Sequence, residues 1–188
     1  TTASNNTVVG LSALLANTTG AHNTALGKGA LDSNTTASYN TAVGSQAMDV
    51  NTTGANNVAV GYAALNVNTT ASNNIGIGYY ALVANTTGDN NVAMGSYAMD
   101  ANTTGTQNVG IGVHALGGNT TGAYNVAVGE NSLKANTTAN DNTAVGYNAM
   151  TANTTGTAND AFGKATLDAC TTGYGNAAFG GDAGGSLT

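Results

Sequence analysis

The side chains that could do chemistry are few and lie far apart. His22 and His114 occupy different places in different repeats, and Cys170 is the only cysteine of the chain. A zinc site needs several converging nitrogen or sulfur ligands, and a thiol nucleophile needs a base within hydrogen-bond reach. The sequence therefore predicts no catalytic residue, no metal ligand set and no cofactor, and we expect that the protein is not an enzyme.

Carboxylates recur at one place in the repeat, at Asp32, Asp49, Asp100 and Asp168. Calcium takes six to eight oxygen ligands, usually from a Gly-rich acidic loop or from converging carbonyls. Neither pattern accompanies these aspartates, so a solvated acidic face is expected here rather than a cation site.

Charge is sparse and negative. The net charge is −6, charged residues make up 6 % of the chain, and the only basic residues are Lys28, Lys134 and Lys164. Three lysines cannot neutralise a phosphate backbone, which excludes nucleic acid as an expected partner. No apolar run approaches the roughly 20 residues of a membrane span, so membrane insertion is not expected either.

A 17-residue unit repeats eleven times without insertion or deletion. Numbered from Asn17, it reads Asn-Thr-Thr-(Gly/Ala)-x-x-Asn-x-Ala-Val-Gly-x-x-Ala-Leu-x-x. Thr at the second and third positions, Asn at the seventh and Gly at the eleventh never vary. A catalytic site needs one unique constellation, whereas this chain repeats a single surface, and such periodicity is typical of repeat architectures.

The unit is too short for two helices and carries short β-branched runs bounded by Gly and Asn. This predicts an all-β fold, a parallel β-solenoid (β-roll) of eleven 17-residue coils. Coils stacked ~4.8 Å apart would form a rod of roughly 50 Å. Residues 1–188 are expected to form one array that is a segment of a longer protein or of an end-to-end assembly.

The last two coils, residues 153–188, depart from the consensus. Asp160 takes an apolar position predicted to face inward, Thr166 replaces Ala, and Gly184 replaces a core Leu. We expect an end or junction there, with Phe162 and Phe179 filling the interior.

Side-chain alternation predicts which positions face inward. The tenth position holds Val, Ile, Leu, Met or Phe, and with the Leu or Met of the fifteenth it is predicted to form the core. The ninth position would then face outward as a smooth stripe through which copies of the chain associate. This candidate self-association face comprises Ala25, Ala42, Ala59, Gly76, Ala93, Gly110, Ala127 and Ala144.

Asparagines at the first and seventh positions are predicted to turn inward at corners and to form amide ladders along the axis. The predicted ladder of the seventh position comprises Asn23, Asn40, Asn57, Asn74, Asn91, Asn108, Asn125 and Asn142. Gly at the eleventh position is expected to supply the positive φ of a tight corner.

The core of the unit, as in 57–61 (Asn-Val-Ala-Val-Gly) and 125–129, resembles the head repeats of YadA-like trimeric autotransporter adhesins. The longer form, with Asn-Thr-Thr-Gly at 51–54, resembles repeats of bacteriophage tail fibres. The adhesin resemblance implies a left-handed parallel β-roll, three chains packed side by side and attachment to a host. The Asn-x-x-x-Gly cadence is also similar to plant ice-binding β-rolls.

Three further features have a functional and a structural interpretation. One Thr column could face outward and order water, or the Thr pair could bond along the ladder. Asn-Thr-Thr triplets match the glycosylation sequon, yet glycans ~4.8 Å apart would collide. Tyr62, Tyr79, Tyr80 and Tyr97 cluster on adjacent coils and could seat a host glycan or receptor, or shield the backbone.

Together these features predict the shaft of an extracellular fibre, carried by a cell surface or a virion. Its partners would be copies of itself, as a homotrimer or an end-to-end filament. The alternative is an ice-binding protein that uses an outward Thr ladder.

Overall fold

The computed structural model describes residues 3–185 and has eleven three-residue strands. The strands are β1 (Thr7–Val9), β2 (Thr24–Leu26), β3 (Thr41–Val43), β4 (Val58–Val60), β5 (Ile75–Ile77), β6 (Val92–Met94), β7 (Val109–Ile111), β8 (Val126–Val128), β9 (Thr143–Val145), β10 (Asp160–Phe162) and β11 (Ala177–Phe179). They form one parallel sheet in chain order. Each residue pairs with its equivalent in the next unit, as Val58 does with Ile75. The predicted parallel β-solenoid with 17-residue coils is confirmed.

Hydrogen bonds between coils continue outside the strands. The backbone N–H of Leu31 donates to the carbonyl of Ala47 at 3.1 Å, and that of Thr35 donates to Thr52 at 3.2 Å. Turns therefore stack in the same register as strands, which satisfies polar backbone groups all around the coil. Residues 3–185 include no helix long and apolar enough to cross a membrane.

The core is narrow, and its large apolar side chains come from one position of the repeat. Leu and Met at the fifteenth position are fully buried from Leu31 to Leu167, as predicted. Small residues of the fourteenth position, such as Ala64 and Ala81, lie beside them and are also inaccessible.

The predicted phase of the strands is wrong. The ninth position faces the interior, and every residue of the proposed smooth stripe that is an alanine, from Ala25 to Ala144, is inaccessible to solvent. Gly76 and Gly110 are buried as well. The stripe therefore belongs to the core of one chain and cannot form a face between chains.

Steric space explains the inverted phase. A Cβ built on Gly110 would lie 2.9 Å from the Cγ of Met99, and one built on Gly76 would lie 3.1 Å from the Cγ of Leu65. The long side chains of the fifteenth position thus reach across to the inner side of the strand. Only Ala or Gly fits opposite them, so the larger tenth-position residues must point outward.

The corner after each strand needs glycine for two reasons. Gly61 has a φ of 135°, and a Cβ on it would lie 2.4 Å from the carbonyl oxygen of Gly78 in the next coil. A side chain would therefore strain the backbone and clash with the neighbouring coil. The predicted positive φ at the eleventh position is confirmed.

Both asparagine ladders are present inside the coil. The Nδ2 of Asn51 donates to the Oδ1 of Asn34 at 3.0 Å and to the carbonyl of Gly54 at 2.9 Å. In the second ladder the Oδ1 of Asn40 accepts from the backbone N–H of Asn57 at 2.9 Å. These buried amides tie each coil to the next, which confirms the predicted inward orientation.

Of the last two coils, the described residues 153–185 keep the fold of the earlier coils, and the rest of the predicted end or junction lies outside the described residues. Asp160 begins β10 and is exposed, so the prediction that it occupies an inward position is wrong. Phe162 and Phe179 do not fill the interior, because their rings stack on the outside with centroids 5.0 Å apart. Thr166 is buried, and its hydroxyl donates to the carbonyl of Gly180 at 2.7 Å.

Candidate functional surfaces

The outer side of the sheet carries two parallel rows of side chains, one from the eighth and one from the tenth position. We call this surface the strand face. The eighth-position row is Thr7, Thr24, Thr41, Val58, Ile75, Val92, Val109, Val126, Thr143, Asp160 and Ala177. The tenth-position row is Val9, Leu26, Val43, Val60, Ile77, Met94, Ile111, Val128, Val145, Phe162 and Phe179.

The middle of the strand face is wholly aliphatic. From β4 to β8 both outward positions hold Val, Ile or Met, and the only charged side chain of the described strands is Asp160. Met94 is 40 % exposed and Ile111 is 37 % exposed. Burying contiguous apolar surface of this kind releases water and lowers the free energy, so the strand face is a candidate interaction surface.

The sequence contained a signal for this face that the predicted phase missed. The ninth position holds only Ala or Gly apart from Val8, whereas most residues at its two neighbouring positions are larger and β-branched. A sterically crowded interior selects small residues more strongly than it selects apolar ones. The column of small residues therefore indicated the side that faces inward.

The two Thr columns differ in what their hydroxyls do. The second-position hydroxyl donates to a backbone carbonyl of the next coil, as Thr52 does to Thr69 at 2.9 Å. Third-position side chains are exposed in every described coil from Thr19 to Thr172. We call this exposed column the Thr rank; it is a single row, because the neighbouring column is bonded to the coil.

The four tyrosines do come together, and we call them the Tyr corner. Tyr62 and Tyr79 stack with ring centroids 5.5 Å apart, and Tyr80 and Tyr97 stack at 5.8 Å. Tyr79 meets the edge of Tyr80 at 4.5 Å, and His114 extends the ladder by stacking on Tyr97 at 5.1 Å. Much of the ring surface of the Tyr corner is therefore in contact with neighbouring rings of the same corner.

Close approach of the rings also affects the acidity of this corner. The neighbouring hydroxyl of Tyr80 raises the pKa of Tyr62, and loss of solvation raises the pKa of Tyr79. Tyr62 and Tyr79 still expose 41 % and 45 % of their surface. A ligand role for the corner stays a prediction.

The sequon asparagines are inside the rod. The acceptor Asn of eight of the nine triplets has no accessible surface: Asn34, Asn51, Asn68, Asn85, Asn102, Asn119, Asn136 and Asn153. The Nδ2 atom that would carry a glycan instead donates within the ladder, as that of Asn68 does to Asn51 at 2.9 Å. A folded coil therefore presents no acceptor nitrogen at these sites.

The aspartates, histidines and cysteine that could do chemistry do not form a shared site in the described residues. Burial, and secondarily the charge of Asp32, raises the pKa of Asp49 above its usual range. His22 stacks on Tyr39 at 5.0 Å, and Cys170 is a buried free thiol. Within residues 3–185 no group of three His, Cys, Asp or Glu side chains converges, and no enclosed cavity is found there.

Comparison of the chain with protein-family models, with curated protein sequences and with solved structures found no match.

Proposed function

We propose that the protein is a structural rod of an extracellular fibre, and that it is built into the fibre by self-association through the strand face. The observation that carries this proposal is the pair of aliphatic rows on the outside of β4 to β8. Burying such rows between copies stabilises an assembly by about 25 cal/mol for each Å² of apolar surface removed from water.

A second copy of the same chain fits this face better than an unrelated partner does. The rows rise by one coil, ~4.8 Å, at every step. Side chains of a partner with the same rise can interdigitate with them at every coil. A partner with a different period loses register after one or two steps, so close packing along the rod requires a repeat of matching pitch.

The way in which the coil is held together supports a mechanical role. The coil is held by Asn ladders, interstrand bonds and a Leu or Met row, and it contains no disulfide among its described residues. The resemblance to adhesin heads and to tail-fibre repeats adds the expectation of a surface location, on a cell or a virion, and of attachment to a host glycan or receptor.

Sedimentation of the purified chain tests the proposal. We expect an oligomer at micromolar concentration, and we expect the double substitution Ile77→Asp and Ile111→Asp to convert it to monomer by placing unpaired carboxylates in the interface. The matched control is Thr70→Asp with Thr104→Asp, which adds the same charges to the Thr rank. A monomer at 100 μM and above would overturn self-association as the basis of the function.

The second candidate function is ice binding, and the Thr rank favours it. Ten exposed threonines repeat at one coil per step: Thr19, Thr36, Thr53, Thr70, Thr87, Thr104, Thr121, Thr138, Thr155 and Thr172. A single rank is a weak template, which is why we place this function second. Thermal hysteresis that disappears on Thr87→Tyr and survives Ile77→Asp would favour it over the fibre.

A further inference from the structure

We infer that two copies pack strand face against strand face with their long axes antiparallel, about a two-fold axis that passes through β6. This inference rests on the proposed function, because it concerns the same face. It departs from the three side-by-side parallel chains that the adhesin resemblance implies.

The strand face reads nearly the same in both directions from β6. In the tenth-position row, Met94 is flanked by Ile77 and Ile111. The next pairs outward are Val60 with Val128 and Val43 with Val145. In the eighth-position row, Val92 is flanked by Ile75 and Val109, then by Val58 and Val126, then by Thr41 and Thr143.

A two-fold axis that runs along the β6 strand direction uses this symmetry. It places the eighth-position row against itself and the tenth-position row against itself, with the order of coils reversed. Aliphatic side chains of β4 and β5 then meet aliphatic side chains of β8 and β7, and Thr41 meets Thr143. At β3 and β9 a hydroxyl therefore meets a hydroxyl, which avoids unpaired hydroxyls beside the aliphatic centre of the interface.

Asp160 discriminates between the possible arrangements. In the antiparallel pair it faces Thr24, whose hydroxyl can donate to the carboxylate. A two-fold axis along the rod would instead set Asp160 against Phe162 of the other copy, which leaves a charge without a partner. A parallel trimer would bring three copies of Asp160 to one level, where like charges repel.

One pair of charges opposes the antiparallel arrangement. Lys28 and Lys164 lie on the coils of β2 and β10, so the two copies bring them to the same rim. Both side chains are exposed, and solvent with salt screens their repulsion. The cost is smaller than that of a carboxylate buried against a phenyl ring.

Site-specific cross-linking tests the arrangement. Val60→Cys and Val128→Cys are made separately in a Cys170→Asn background, so that each chain carries a single thiol. The reagent is a bis-maleimide with a span of about 10 Å, the distance between face-packed sheets. Val60 and Val128 are four coil steps apart, which separates equivalent sites of the two copies by roughly 19 Å, beyond the reach of the reagent.

The antiparallel pair predicts that a mixture of the two variants cross-links at least about tenfold more than either variant alone. Met94→Cys, which lies on the axis, is expected to cross-link with itself. If Val60→Cys alone cross-links as well as the mixture does, the chains are parallel and the inference is overturned while self-association stands. If sedimentation shows only monomer, the proposed function itself fails.

Discussion

At the scale of single residues, the asparagine ladder of the first position determines how many hydrogen bonds one substitution removes. From Asn34 to Asn136, each amide of the first-position ladder donates to the amide of the preceding coil and accepts from that of the next, so one replacement affects two coils. Cys170 is such a replacement, because it stands where Asn is found in the preceding nine units. The Oδ1 of Asn153 consequently has no hydrogen-bond partner, whereas the Oδ1 of Asn136 accepts from Asn153 at 3.0 Å.

Cys170→Asn is expected to stabilise the fold. It supplies the missing donor to Asn153, and an unsatisfied buried acceptor costs about 1–3 kcal/mol. We expect the free energy of unfolding in urea to rise by about 1 kcal/mol. Cys170→Ala is the control, since it removes the thiol without adding a donor, and an equal gain from both variants would contradict the ladder argument.

Asp49 makes stability depend on pH. Its pKa is raised in the folded state by burial and by Asp32, so folding favours the protonated carboxyl. This stabilisation is present below the unfolded pKa and is lost as the pH rises through the raised folded pKa. Asp49→Asn should therefore raise the melting temperature at pH 7 and leave it nearly unchanged at pH 3.

Asp32→Asn is the comparison for this experiment. It removes only the weaker of the two causes, so a smaller gain at pH 7 is expected. A loss of stability at pH 7 in Asp49→Asn would show that the carboxylate is favourable in the fold.

At the scale of the strand, size and not hydrophobicity decides which side faces in. The alternation of side chains, the fifteenth-position row, both Asn ladders and the glycine corner were all predictable from the repeat. The phase of the strand was not, because Val and Ala are both apolar and only the reach of Leu65 or Met99 across the coil separates them.

The strand face could not be predicted as the outer surface for the same reason. A one-residue change of phase exchanges the two sides of a strand completely. The residues proposed for self-association, Ala59 among them, became core, and their neighbours Val58 and Val60 became surface. The Tyr corner was predictable because it needs only the period, which places equivalent residues on adjacent coils.

Two substitutions in β3 test the phase directly. Ala42 is fully buried and Thr41 is half-buried on the strand face. Ala42→Leu should cost about 1–3 kcal/mol by overpacking the interior, whereas Thr41→Leu should stay within about 0.5 kcal/mol. Urea unfolding at a concentration low enough to keep the chain monomeric measures both, and the reverse order would restore the original phase.

At the scale of the whole molecule, stacking of the coils makes the acceptor asparagines of the Asn-Thr-Thr triplets inaccessible. Glycan transfer requires an accessible Asn side chain, and eight of the nine acceptors have none. We expect an oligosaccharyltransferase to modify Asn51 in a peptide spanning residues 45–61 at least about a hundredfold faster than it modifies Asn51 in the folded chain. Mass spectrometry of both substrates measures this.

Two acceptors serve as internal references in the folded protein: the half-buried Asn17, and the exposed Asn5, whose triplet Asn5-Asn6-Thr7 also matches the sequon. Modification confined to these two residues would agree with closure of the other sites. Efficient modification of the inner sites without unfolding would contradict it.

The in-register pile of 17-residue coils also determines how the rod responds to tension. A coil detached from one end releases its 17 residues, which extend to nearly 60 Å, while the rod shortens by only ~4.8 Å. Since the next coil is held by the same ladders, it resists with a similar force. A stretched rod of this kind lengthens in equal increments from its ends, and the part that has not yielded keeps its shape.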